Sequence, residues 1–263
     1  MSTQSEPPVG APVPPTAEDR KPETAWAGLV TIGAIAIVLS IVALELIVIQ
    51  EIVPPLIIVA VLLVAGIVLM RAKGRPGVIM LGSVGLLYFV LLAPFVGESF
   101  AFPASTVDFV INLVSILSSL VIVVSAIALL RAGATDTRSA GARRFGATVL
   151  AIVVVGTMFS IAARLTREDP LGQEGDLDIT AKDTEFIPTR LEVQGPAVSF
   201  FIENEDLTAH TFTIDELDVD EGIPGGGSAR VELASAEEGE YEYYCSVTGH
   251  EDMKGTVTIG DAN

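Results

Sequence analysis

The 263-residue chain has one cysteine, two histidines, one tryptophan and four lysines. A lone cysteine excludes an internal disulfide, so a small domain in this chain needs another staple, and a metal is one candidate. The long apolar stretches in the first 167 residues contain no histidine and no cysteine. They therefore cannot hold a bis-histidine haem or a histidine-ligated copper centre of their own. No glycine-rich phosphate loop stands between a strand and a helix, and no internal repeat is visible. The N-terminus also lacks the basic start and short apolar core of a cleaved signal.

What is present divides in two. Half of the residues are apolar, yet the net charge is −18. Residues 1–167 carry 11 Lys and Arg against 9 Asp and Glu, whereas residues 168–263 carry 4 against 24. A nearly neutral oily portion thus precedes an acidic one, and each requires its own solvent. The oily portion holds five apolar runs: Trp26 to Ile49, Pro55 to Met70, Val78 to Val96, Thr106 to Leu130 and Phe145 to Ala163. At helical rise the first reaches roughly 36 Å, against a hydrocarbon core of about 30 Å. The second is short and is expected to borrow Ile52 and Val53, with Pro54 and Pro55 tolerated at its first turn. Five such runs with almost no polar face predict a five-helix transmembrane region over 26–164.

Arg71, Lys73 and Arg75 separate runs two and three, and Arg131, Arg138, Arg143 and Arg144 separate runs four and five. The opposite connections have no Lys or Arg, so the positive-inside bias puts the N-terminus in the cytoplasm and the C-terminal portion outside a cell membrane. Arg164 and Arg167 run against that bias. Residues 1–25, with six prolines, read as a disordered cytoplasmic tail. Glu45 and Asp108 are carboxylates inside apolar runs, each near an outer end. "STVD" at 105–108 fits a capping box, and Glu45 is expected to reach for the interface.

A polar linker, 165–176, leads into 177–263, where the period becomes two. "LDITAKD", "EFIPTRLEVQ", "AVSFFIEN", "HTFTID", "ARVEL", "EYEYYCS" and "GTVTIG" are seven short β-rich segments divided by turn residues. They predict a small all-β sandwich. In "YYCSVTGHEDMKG", Cys245, His250 and Met253 lie between the end of one strand and the start of the last, where a loop can aim all three at one point. His210 opens "HTFTID". Two imidazoles, one thiolate and one thioether suit copper cycling between its two oxidation states. Taken singly, a lone Cys is usually a small buried hydrophobe and a lone His a hydrogen-bonded residue. Those readings fail jointly, because the only Cys and both His fall into one pattern. Zinc is the rival metal, but this donor set is unusual for a structural zinc site.

From Asp183 to Gly260 the chain resembles the cupredoxins, the small blue-copper proteins that include plastocyanin and sulfocyanin. The resemblance is carried by "EFIPTRLEVQGPAVSFFIEN", "ENEDLTAHTFTID" and "YYCSVTGHEDMKGTVTI". It implies a Greek-key sandwich with His210, Cys245 and His250 as equatorial ligands of one mononuclear type 1 copper and Met253 as the axial ligand. A backbone carbonyl or Glu251 is the alternative in the axial place, because only two residues separate His250 from Met253 where plastocyanin has four. A dinuclear copper domain would need a second cysteine. Thr211 falls where the family often has a polar residue that steadies the ligand loop. The resemblance does not extend to the membrane region.

The expected function is membrane-tethered, non-enzymatic electron transfer between extracytoplasmic redox partners, with His250 as the electron gate. A copper sensor or copper-delivery protein is the alternative. The expected contacts are membrane lipid and redox proteins, with no nucleic acid and no small-molecule substrate. The acidic surface fits either a basic docking partner or adaptation to salt.

Overall fold

The computed structural model describes residues 25–50, 52–132 and 139–260; most of the proline-rich stretch read as a disordered tail lies outside them. Each apolar run forms a helix: α1 (Ala25–Ala43), extended by a π-helical turn (Leu44–Val48), α2 (Pro54–Lys73), α3 (Arg75–Ala101), α4 (Thr106–Ala132) and α5 (Ser139–Thr166). All five are long and apolar enough to cross a membrane. They pack chiefly through α1 against α4, α3 against α4, and α2 against α3. Gly33 on α1 and Gly85 on α3 both lie against Ile122, so small residues let the backbones approach α4 closely.

The second run does not lengthen through Ile52 and Val53. Val53 is the N-cap, Pro54 opens the helix, and α2 instead grows past Met70 into Arg71 and Lys73. Basic side chains in a last turn complement the carbonyl end of the helix dipole. The helix then breaks at Gly74, whose φ of +66° reverses the chain directly into α3. Arg143 and Arg144 likewise ride on the first turns of α5 rather than in a loop.

Both carboxylates of the apolar helices turn inward. Glu45 is buried, and its Oε1 accepts from the Val53 N–H at 3.1 Å, capping the start of α2 instead of reaching for the interface. The Asp108 carboxylate accepts from Asn112 Nδ2, which also donates to the Ser99 hydroxyl. The Ser105 hydroxyl accepts from the Gly225 N–H at 2.9 Å, so it ties α4 to the β domain, not to Asp108.

Nine strands follow: β1 (Leu177–Lys182), β2 (Glu185–Ile187), β3 (Arg190–Gln194), β4 (Val198–Asn204), β5 (His210–Ile214), β6 (Val219–Ile223), β7 (Ser228–Leu233), β8 (Gly239–Tyr244) and β9 (Lys254–Gly260). One sheet runs β2-β1-β4-β7 and the other β3-β9-β8-β5-β6, with β1/β4 and β3/β9 parallel and the other pairs antiparallel. The "EFIPTRLEVQ" segment divides at Pro188, which has no N–H for a ladder. The "VDEGI" strand, β6, carries no alternating apolar signal because it is an edge: only Val219 and Ile223 face inward. Between the sheets, Phe186, Phe200, Phe212 and Tyr243 form a fully buried aromatic cluster with centroids 5.1–6.0 Å apart.

Asp176, just before β1, fastens this sandwich. Its carboxylate takes a two-pronged contact from Arg230 on β7, both arms 2.8 Å, and further hydrogen bonds from Ser199 Oγ on β4 and the Gln173 N–H. The Arg230 contact holds its carboxyl far below the usual carboxylate range. A depressed carboxyl pKa stabilises the fold above the unfolded value of about 3.9 and loses that contribution as pH falls through the folded value. The chain should therefore lose β-domain stability as pH falls below about 4. Asp176→Asn should be less stable at neutral pH and show a flatter acid dependence, as read by denaturation at stepped pH.

Candidate metal centre

Three of the four predicted ligands, His210, Cys245 and His250, bring their donor atoms together at one end of the sandwich, and Met253 lies in the buried cluster that holds Cys245. His210 opens β5, a strand buried on both faces. Alternation turns His210, Phe212 and Ile214 toward the core and leaves Thr211 and Thr213 on the other face. Cys245 follows the last residue of β8 and is 3% exposed, whereas His210 and Met253 are fully buried and His250 is half-buried. β5 and β8 are sheet neighbours, which brings Cys245 beside β5 although 35 residues separate it from His210.

The loop from Cys245 to Met253 is two successive turns. The His250 N–H donates to the Val247 carbonyl at 3.0 Å, and the Met253 N–H donates to the His250 carbonyl at 2.9 Å. The Cys245 N–H then donates to the Met253 carbonyl at 3.0 Å, closing the loop at its base. Gly249, with φ of +90°, occupies the third position of the first turn, where a side chain would be strained. This is why four residues between Cys245 and His250 still return the imidazole to the sulfur.

His210 Nδ1 lies 3.1 Å from His250 Nδ1, and the Cys245 Sγ lies 3.7 and 3.5 Å from those two nitrogens. A metal bonded to nitrogen at about 2.0–2.1 Å and to sulfur at about 2.3 Å in a trigonal plane separates its ligands by about 3.6–3.8 Å. The two sulfur–nitrogen distances match that and the nitrogen–nitrogen distance is about half an ångström shorter, so a small parting of the rings lets the donors fit one ion. His210 Nε2 is 2.8 Å from Asp206 Oδ2. A proton on Nε2 satisfies that carboxylate and leaves Nδ1 with its lone pair toward Cys245 and His250.

Electrostatics favour a thiolate beside the imidazoles. Burial opposes the Cys245 thiolate, but the His210 and His250 rings beside it and the Thr211 and Val247 N–H groups outweigh that and lower its pKa to about 6. Burial also opposes a charge on His210, yet Asp206 and the Cys245 sulfur outweigh it and its pKa is raised. Glu251 is exposed, and its Oε1 accepts from the Gly249 N–H at 3.0 Å, on the outer side of the loop. Met253 is packed in the same buried cluster as Cys245.

Thr211 steadies the loop. Its Oγ1 accepts from the Ser246 N–H at 2.7 Å and contacts the Ser246 hydroxyl at 3.0 Å, so the residue after Cys245 is fixed to the residue after His210. Two further residues escape a sequence reading. Asp206 orients His210 from four positions earlier, and its only sequence signal is one acid among several in "ENEDLTAH". Glu98 comes from α3: its carboxylate accepts from the Thr248 N–H at 3.0 and 3.1 Å and from Thr248 Oγ1 at 2.6 Å. Nothing in the sequence around Glu98 connects it to residue 248.

Residues 148–259 match the family model described as the cupredoxin-like domain, a span that begins inside α5. No curated protein matches the chain. Among solved structures, a purple cupredoxin from Nitrosopumilus maritimus is 23% identical; the alignment covers 32% of this chain and 100% of that one, with a TM-score of 0.27. Auracyanin A from Chloroflexus aurantiacus, described as a "blue" copper protein, is 17% identical over 32% of this chain and 98% of its own, with a TM-score of 0.29. Reduced auracyanin from Roseiflexus castenholzii is 15% identical over 34% and 99%, also with a TM-score of 0.29.

Thr211→Val keeps the shape of the residue and removes the acceptor of the Ser246 N–H. Chemical denaturation of the metal-free chain should show a loss of about 1–2 kcal/mol from the β domain.

Proposed function

We propose that the chain is a membrane-anchored, non-enzymatic one-electron carrier. In this reading His210, Cys245 and His250 hold one copper ion in a trigonal set and Met253 supplies the axial thioether. The observation that carries the proposal is the convergence of two imidazole nitrogens and one thiolate within 3.7 Å of one another in a buried pocket. Soft sulfur favours the reduced ion and imidazole tolerates the oxidised one, so bound copper supplies reversible one-electron exchange. The chain's own residues keep the ligands still. Asp206 fixes the His210 ring, Thr211 pins Ser246, and the two turns hold His250 over the sulfur. Burial of His210 and Cys245 favours retaining the metal over releasing it to a recipient, which weighs against copper delivery.

The proposed division is a tail over 1–25, a membrane region over 26–164, a linker over 165–176 and the copper domain over 177–263. Arg71, Lys73 and Arg75 lie at the end of the bundle away from the copper domain, which supports the domain's placement outside the cytoplasm. Arg164 and Arg167 do not weigh against it. They pair with Asp169 and donate to the Gly226 and Ser228 carbonyls, so they serve the junction with the β domain. The proposed exchange partners are redox proteins, and the acidic surface would steer a basic one.

Titrating the intact, detergent-solubilised chain with Cu(II) should give an intense visible charge-transfer band at one ion per chain, with reversible one-electron cycling. Cys245→Ser should abolish the band, and Met253→Leu should keep it while changing the reduction potential. A band that survives loss of the thiolate would rule out this ligand set.

A further inference from the structure

The metal-bearing end of the β domain does not stand free above the helices. Phe102, at the C-cap of α3, leaves no room for a side chain at Gly222 on β6: a Cβ there would come within 2.3 Å of its ring. The Ser105 hydroxyl takes the Gly225 N–H, and Arg164 and Arg167 reach the carbonyls of Gly226 and Ser228. Beside these contacts, α3 reaches the ligand loop itself. A Cβ on Gly249 would lie 3.8 Å from Phe95, and Glu98 takes both donors of Thr248.

The chemistry of the turn explains why Glu98 matters. Thr248 is the second residue of the Val247–His250 turn, and the hydrogen bond of such a turn joins its first and fourth residues. The N–H of the second residue points away from the turn and has no partner within it. In this loop that N–H is two residues from His250, on a segment whose inner groups are already committed. A carboxylate accepting from both the N–H and the hydroxyl makes charge-assisted hydrogen bonds, which are stronger than neutral ones. We propose that Glu98 is a positioning residue of the metal centre, a side chain of the membrane region that fixes the turn carrying His250. The helices thereby belong to the site as well as to the anchor. The structural part of this proposal stands without a metal; its consequence for copper rests on the function proposed above.

The test uses the full chain with Glu98→Ala, Glu98→Gln, Thr248→Val and the Glu98→Ala/Thr248→Val double variant. In metal-free protein, amide exchange over residues 246–252 should rise roughly threefold to tenfold in Glu98→Ala, with β1, β4 and β7 unchanged. Glu98→Gln, whose amide oxygen still accepts, should restore most of the protection. Thr248→Val should have a smaller effect, and the double variant should match Glu98→Ala alone, because the two side chains act through one contact. In copper-loaded protein, Glu98→Ala should broaden the Cu(II) electron paramagnetic resonance spectrum and Glu98→Gln should return it toward the parent form. Unchanged exchange over 246–252 in Glu98→Ala overturns the proposal, as does a rise spread equally over every strand. A loop released on schedule in a chain that takes up no copper would instead remove the proposed function and leave the Glu98 contact standing.

Discussion

A carboxylate on the far nitrogen of one imidazole is the constraint from which the centre is built. His210 is fully buried at the start of β5, and Asp206 Oδ2 sits 2.8 Å from its Nε2. Without that acceptor, a buried Nε2–H would lack a partner and the ring would be free to present either nitrogen to the pocket. With it, Nδ1 is the atom offered to Cys245 and His250. Asp206 is itself held from two sides: its carboxylate accepts from the Asp183 and Thr184 N–H groups of the β1–β2 turn, and its own N–H donates to Asn204 Oδ1 at the end of β4. Asn204, also buried, donates onward to the Thr208, Ile223 and Pro224 carbonyls. The orientation of one ring is thus set by a chain of hydrogen bonds that crosses from the β1–β2 turn to the end of β6.

The sulfur is constrained from the other side. Thr211 N–H donates to Cys245 Sγ at 3.4 Å while Thr211 Oγ1 receives the Ser246 N–H. One threonine therefore links β5 to the ligand loop at two atoms, its N–H at the sulfur and its side chain from the face of β5 opposite His210. This accounts for a strand with both faces buried in a small sandwich. One face serves the core and the ligand, and the other serves the loop. Ordering the site this far before any metal arrives reduces the rearrangement that a change of oxidation state would demand, which is the property a one-electron carrier needs.

Much of this was legible in the residues because the chemistry is carried by rare types. The only cysteine and both histidines occupy one centre, and the five apolar runs became five helices because nothing but length and hydropathy was needed to see them. The departures have a common cause. Glu45, Ser105 and Asp108 were read from neighbours in sequence, yet the groups they satisfy are at Val53, Gly225 and Asn112. β6 was invisible because an acidic edge strand does not alternate, and it was found only through its pairing with β5. Asp206 lies in a run of acids where no local signal singles one out. Glu98 is 150 positions from its partner, and only the fold relates them.

That last separation bears on why five helices are present where one would hold the domain at a membrane. A single helix entering the sandwich through residues 165–176 could supply Arg164 at the end of α5 and Arg167 just beyond it, but none of the contacts made by α3 and α4. The contacts to the ligand loop come from α3 through Phe95 and Glu98, while Phe102 and Ser105 meet β6 and the turn after it at Gly222 and Gly225. Those residues are placed only if α3 and α4 stand beside one another, and α4 in turn leans on α1 and α5. A bundle of this size therefore gives the β domain a platform with a defined orientation, in which the loop that carries His250 meets α3 at Thr248 and Gly249. A lone flexible tether would let the same domain rotate freely. The helices, empty of metal ligands of their own, contribute by deciding which way the single centre points.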